Sequence, residues 1–209
     1  MSKWLIGIDE VGRGPLAGPV GVGVVLMLHD FDWSTLKGVK DSKKMTPKNR
    51  EAIFRQTETL KQNKILNYQV ELVEAKIIDK IGIVPAISQA MNIALNKLAT
   101  STPDFNAQDV VIKLDGELKA PKEYLNQETI IKGDDKELVI GLASVMAKVT
   151  RDKYMEEIAK KSDFTVYNFQ KHKGYGTKAH REAILEHGLS VEHRLSFCKN
   201  ILNLQKSQL

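Results

Sequence analysis

WLIGIDEVGRGPLAGPV, residues 4–20, sets the reading of this chain. An apolar run stops at two consecutive carboxylates, Asp9 and Glu10, and gives way to a turn with three Gly and two Pro in residues 12–19. That pattern reads as a short strand with acidic side chains at its end. A second run ends the same way: VVIKLD, residues 110–115, stops at Asp115 and is followed by Gly116. In α/β sheets, sites form just beyond the carboxyl ends of strands. Parallel neighbours lie about 4.8 Å apart, so Asp9 and Asp115 would emerge side by side. Two carboxylates that close repel by roughly 4 kcal/mol at an effective dielectric of 20. A proton or a cation between them relieves this. Oxygen donors with no His or Cys nearby suit Mg²⁺ or Mn²⁺. Ordinary solvated turn chemistry is the competing reading of an Asp-Glu pair at a strand end.

Asp9 and Glu10 are consecutive, so in an ideal strand they face opposite sides. Both reach one site if the strand ends or bends there, and Gly12 and Gly14 allow a bend. A third acidic feature, Lys132-Gly133-Asp134-Asp135, precedes a long helical pattern. Its aspartates read either as helix caps or as one further metal ligand. The glycine turn at 12–19 could bring backbone N–H groups against a phosphate or a sugar hydroxyl. Asp41-Ser42-Lys43-Lys44 reads as a surface turn or a phosphate grip. His172 is assigned no chemistry.

Around these features the chain alternates between strand and helix patterns. Residues 4–9, 20–29 and 64–73 read as strands, and the three form an antiparallel meander. Thr46-Pro47 opens a helix to about residue 62. Residues 84–98 have helical apolar spacing. Residues 109–115 form a strand after that crossover, parallel to one of the first three. A short apolar run covers 128–132, a long helix 136–161, and a helix at 177–187 closes at Gly188. The expected fold is a mixed α/β sheet with helices on its faces.

The chain has 209 residues, 42% hydrophobic and 27% charged, which supports a real core. One domain with a small appendage is expected. A single Cys198 excludes an internal disulfide and a thiolate metal site, and points to a reducing, cytoplasmic setting. No stretch approaches the roughly 18 apolar residues of a membrane span, and the N-terminus carries no secretory pattern. The net charge of +5 is uneven: residues 143–209 hold 12 Lys+Arg against 7 Asp+Glu, and residues 1–142 are balanced. Residues 164–181 contain no acid. They carry Lys171, Lys173, Lys178 and Arg181, with Phe164, Tyr167, Phe169 and Tyr175 between them. Cations neutralise phosphates and aromatics stack on bases or sugars, so the stretch reads as a nucleic-acid contact or as a solvated basic loop.

Six segments in one order carry a further signal. GIDEVGRGPLAGPV (7–20), DSKK (41–44), KLDG (113–116), KGDD (132–135), LASVMAKVTRD (142–152) and KHKGYGT (171–177) resemble ribonuclease HII, the bacterial type 2 ribonuclease H. Type HIII enzymes typically have GKG where this chain has Gly12-Arg13-Gly14. The resemblance implies a ribonuclease-H-like fold with a small C-terminal helical part, roughly residues 163–209, that contacts substrate. It implies Mg²⁺- or Mn²⁺-dependent hydrolysis of RNA in RNA–DNA hybrids, including single ribonucleotides in duplex DNA. Two metals would leave a 5′-phosphate and a 3′-hydroxyl. Its metal-binding carboxylates fall on Asp9, Glu10, Asp115 and Asp134, with Asp135 open as the alternative to Asp134. Gly12, Arg13 and Gly14 fall on the reader of the ribose 2′-hydroxyl, Tyr175 on the sugar-packing ring and Lys43 on a phosphate contact. Val11, Met146 and the Lys-Glu pair after KGDD depart from the commonest pattern. The rival readings are another nuclease of this fold, such as a resolvase, and a non-catalytic nucleic-acid-binding protein. A monomer is expected. The tail at 204–209 reads as a weak sliding-clamp contact or an ordinary polar end.

Overall fold

The computed structural model describes residues 3–39 and 42–206, with side chains as far as residue 203. Five strands form one sheet: β1 (Trp4–Val11), β2 (Val20–Leu28), β3 (Leu66–Val73), β4 (Val110–Asp115) and β5 (Gln127–Ile130). Their order is β3-β2-β1-β4-β5. The first three pair antiparallel, as a meander, and β4 lies parallel to β1. β5 adds a second parallel pairing at the edge. The mixed sheet expected from the sequence is the one observed.

The central strand β2, VGVGVVLML, is buried along eight of its nine residues. Val20, Val22, Val24 and Leu26 point into one core, Val25 and Met27 into another. The helices α2 (Ala75–Ile81) and α3 (Ile83–Ser101) cover the first face, and α3 contributes Ile87, Met91, Leu95 and Leu98 at helical spacing. α1 (Pro47–Gln62) and α5 (Leu138–Ala159) cover the second. α5 lies unusually close to the sheet. A Cβ on Gly7 would sit 2.3 Å from the Val139 carbonyl oxygen, and one on Gly23 2.5 Å from that of Ala143. Only glycine permits this approach, and filling it would cost about 1–3 kcal/mol. The contact brings the first turns of α5 under the end of β1.

α1 begins as expected: Thr46 accepts from the Asn49 N–H at 3.2 Å and Pro47 takes the first position. Two expectations need correction, and one helix was not expected. β1 does not end at Asp9 but runs to Val11, and the chain bends at Gly12, whose φ is +78°. α2 carried no clear periodic signal because it is only seven residues long. The helix expected over 136–161 is two helices, α4 (Gly133–Lys136) and α5, separated by Glu137 at φ −122°. Asp134 and Asp135 therefore lie within α4, and neither caps the long helix.

After α5 the chain forms a 3-10 turn at Ser162–Tyr167, then α6 (Phe169–His172), α7 (Lys178–His187) and α8 (Leu195–Lys206). Phe164, Tyr167 and Phe169 pack with Ala17, Met155 and Ile158 into a separate small core. They are buried, so the reading of these three as stacking platforms for nucleic acid is wrong. Asp79 of α2 accepts from the Leu195 and Ser196 N–H groups at 2.8 and 2.9 Å, which pins the start of α8 to the helical face. Among the described residues no helix is long and apolar enough to cross a membrane.

Candidate active site at the strand ends

The parallel register sets Ile8 opposite Leu114. The next residues, Asp9 and Asp115, thus stand side by side where the β1–β4 pairing ends. Glu10 joins them although β1 continues to Val11, and the Asp9 Oδ1 accepts from the Glu10 N–H at 2.8 Å. Asp9, Glu10 and Asp115 each offer an oxygen, all within 4.8 Å of one another. Ligand oxygens on one Mg²⁺ ion are at most about 4.2 Å apart, given bonds of about 2.1 Å. Closing the remaining gap takes small side-chain shifts. No His or Cys joins this group, so the donor set fits a hard divalent cation.

The electrostatics agree. Asp9 is 3% exposed. Burial, followed by the charges of Glu10, Asp115 and Asp134, pushes its carboxyl up to about 8, against the lowering effect of a hydrogen bond from Ser144. Glu10 is also raised, first by burial, with Arg13 opposing and Asp115 adding to the shift. Three carboxylates at this spacing hold a proton unless a cation replaces it.

Asp134 is buried and its charge reaches Asp9, but it stands outside the three-carboxylate group among the described residues. The loop carrying it is anchored by Asp115, whose Oδ1 accepts from the Gly133 N–H at 2.6 Å. Lys43 Nζ lies 3.6 Å from Asp134. Asp135 is more exposed and pairs with Lys44. The two aspartates thus differ: Asp134 faces the cluster and Asp135 the rim. Asp41 lies outside the described residues.

The glycine turn adjoins the cluster. Arg13 Nη1 is 3.5 Å from Glu10 Oε1. Gly12 cannot be replaced without displacing Arg151, since its Cβ would fall 2.2 Å from Arg151 Nε. Gly14 is different: a Cβ there meets nothing within 4 Å, so this side of the turn is open. The Leu16 and Ala17 N–H groups donate to the Gly174 carbonyl at 2.9 and 3.3 Å, which brings Tyr175 beside the turn. Tyr175 is 43% exposed. Of the basic residues nearby, Lys173 is tied to Glu156 at 2.8 Å, whereas Lys171, Lys178 and Arg181 are exposed.

Two features were missed in the sequence. Ser144 is buried, accepts or donates a 2.7 Å bond with Ser42, and stands against Asp9. It sits inside an apolar helix pattern, where a lone Ser carries no signal. The second is a histidine chain. The Ser190 N–H donates to His193 Nδ1 at 2.9 Å, so the proton of His193 lies on Nε2. That nitrogen faces His180 Nε2 at 3.0 Å, which leaves His180 Nδ1–H to donate to the Tyr175 carbonyl at 2.9 Å. Both rings are neutral in this arrangement, and burial pushes both down to about 4.

The family model for ribonuclease HII matches residues 6–200. A ribonuclease HII of Caldicellulosiruptor bescii is 44% identical over 202 residues, covering 97% of this chain and 90% of the relative. Among solved structures, ribonuclease H2 of Pyrococcus horikoshii superposes with a TM-score of 0.66 at 25% identity, covering 97% of this chain and 99% of that one. Ribonuclease HII of Archaeoglobus fulgidus, solved in a complex with PCNA, shares the fold with a TM-score of 0.67 at 23% identity, over 91% and 93% of the two chains. The six segments read from the sequence lie within the matched region, and the chain belongs to the ribonuclease HII family of metal-dependent ribonucleases.

Proposed function

We propose that the protein hydrolyses the RNA strand of RNA–DNA hybrids and cuts at single ribonucleotides embedded in duplex DNA. The observation that carries this reading is the convergence of Asp9, Glu10 and Asp115 on one point beside the Gly12–Gly14 turn. These three, with the buried Asp134 facing them, would hold the divalent cations, Mg²⁺ or Mn²⁺. A pair of such ions supplies an acidified water and charge stabilisation on the leaving oxygen of a phosphodiester. The expected products are a 5′-phosphate and a 3′-hydroxyl.

The protein's own groups supply the selection. The open turn at Gly12, Arg13 and Gly14 contacts the ribose 2′-hydroxyl, which both donates and accepts. A site built to hydrogen-bond a hydroxyl rejects the analogue lacking it. Tyr175 packs on the adjoining deoxyribose, where a second hydroxyl would crowd its ring. Lys43, exposed near Asp134, meets a phosphate. Residues 163–209 form the substrate-binding C-terminal part of a single-domain, monomeric, cytoplasmic enzyme. The complex of the archaeal relative with PCNA supports a weak clamp contact through the tail, whose last three residues lie outside the described residues.

The test is a panel of four reactions: a duplex with one ribonucleotide, a continuous RNA–DNA hybrid, an all-DNA duplex, and the first with EDTA. Cleavage of the first two in Mg²⁺ or Mn²⁺, and of neither control, is expected. Cleavage of the all-DNA duplex would indicate a resolvase-like nuclease, and no cleavage at all a binding protein.

A further inference from the structure

The two largest fully buried side chains are arginines, Arg151 and Arg194, and neither belongs to the carboxylate cluster. Burying a guanidinium is costly unless its donors are satisfied. Here backbone carbonyls satisfy them, and almost all of these carbonyls lie in the glycine turn. Arg194 donates from Nη2 to the Gly12 carbonyl at 2.7 Å, from Nη1 to that of Arg13 at 3.1 Å, and from Nε to that of Gly18 at 2.9 Å. Arg151 holds the far limb, donating to Pro19 at 2.8 Å and Ala17 at 3.1 Å, and to Lys173 at 3.0 Å.

The Arg194 bonds fix more than position. Across a trans peptide the C=O of one residue and the N–H of the next point in opposite directions. No peptide in the described chain is cis. Drawing the Gly12 and Arg13 carbonyls inward therefore turns the Arg13 and Gly14 N–H groups outward. Neither N–H has a backbone acceptor among the described residues. A Cβ on Gly14 would meet nothing within 4 Å, so the turn is open at that residue. The result is two adjacent donors turned away from the guanidinium that holds their carbonyls, in a turn that follows Glu10 directly in the chain.

We infer that Arg194 is a positioning residue for ribose selection: its guanidinium orients the Arg13 and Gly14 N–H groups toward the sugar oxygen. This rests on the proposed reading of the 2′-hydroxyl by the turn. It also gives the C-terminal part a second task. Residue 194 lies just before α8, so the start of that helix and the selecting turn are parts of one construction. Arg151, equally buried, holds residues 17 and 19 and does not set these donors.

The two arginines supply the contrast for a test. Fluorescence anisotropy in EDTA, which keeps the ribonucleotide intact, would give the affinity of each protein for a duplex with one ribonucleotide and for the same duplex in all-DNA form. Arg194→Lys should lower the preference for the ribonucleotide duplex at least tenfold and leave the all-DNA affinity within about twofold. Arg151→Lys should lower the melting temperature and keep the preference. If Arg194→Lys does not fold, Arg194→Gln, whose head is neutral, carries the same measurement. A variant that folds and discriminates like the parent would overturn the role of Arg194 and leave the hydroxyl reading intact. A parent that binds both duplexes equally would overturn both.

Discussion

The strand-end cluster and the C-terminal helical part both adjoin the glycine turn, yet the chain specifies them differently. At the sheet, register does the placing. Once Ile8 sits opposite Leu114, Asp9 and Asp115 must be neighbours. In the C-terminal part, similar residues in one short stretch go to opposite places. Phe169 is fully buried, whereas Tyr175, six residues on, is 43% exposed. Lys173 is held by Glu156, and Lys171 is exposed. A period of two or 3.6 assigns faces, and an irregular chain has no period to read. The contrast also has an energetic side. The cluster concentrates like charges at a cost, and the C-terminal part buries two cations on carbonyls.

The sharpest way to break this comparison is at the cluster. Asp9→Asn should reduce turnover by at least about a hundredfold, a typical loss when transition-state charge stabilisation is removed. In EDTA the same change should raise the melting temperature, because it removes a carboxyl whose ionised form is disfavoured first by burial and then by the charges of its neighbours. A thermal shift assay and a cleavage assay read the two effects.

Tyr175→Ala is the next largest. Losing a stacked ring costs about 1–3 kcal/mol, or about tenfold or more in kcat/KM. The loss should fall on the lone-ribonucleotide duplex more than on a continuous hybrid. Equal rates and an unchanged preference would contradict the role given to the ring.

A smaller effect belongs to the exposed cations. Removing residues 163–209 would be a poor test, since it also takes away Arg194 and exposes Ala17 and Met155. The triple change of Lys171, Lys178 and Arg181 to Ala leaves both in place. Binding should then lose up to about 3 units of slope against log salt. An unaltered slope would show that these cations are only solvated.

The smallest effect is on pH dependence. His180 and His193 are held near 4, below their ordinary value of 6.5. Such groups add stability at pH above about 6.5 and lose it as the pH falls toward 4. The Asp9 carboxyl opposes this, since a raised acid loses stability as the pH rises toward 8. Melting curves of Asp9→Asn should therefore show the acid-side loss plainly, and His180→Gln in that background should blunt it.

Much of the fold could be read from the chain. The meander, the parallel fourth strand and the cap at Thr46 all follow from period and turn chemistry. At the site, the two aspartates came from matching strand ends. Asp134 and Asp135 could not be told apart by local pattern, because both lie in one turn of helix and differ only in what faces them. Arg194, Ser144 and the histidine chain were not legible. Their partners are up to 182 residues away in sequence, and nothing local to them marks a buried polar bond. The aromatics at 164, 167 and 169 were misassigned for the same reason: only the small core around Met155 explains them.

The central claim is that the two strand ends make one metal centre. The direct measurement is kcat on a lone-ribonucleotide duplex at saturating Mg²⁺ for Asp115→Asn and Asp135→Asn, both checked for folding by circular dichroism. Asp115→Asn should lose at least about a hundredfold, and Asp135→Asn, at the rim with Lys44, should stay within about threefold. Parent-like turnover by Asp115→Asn would contradict the account.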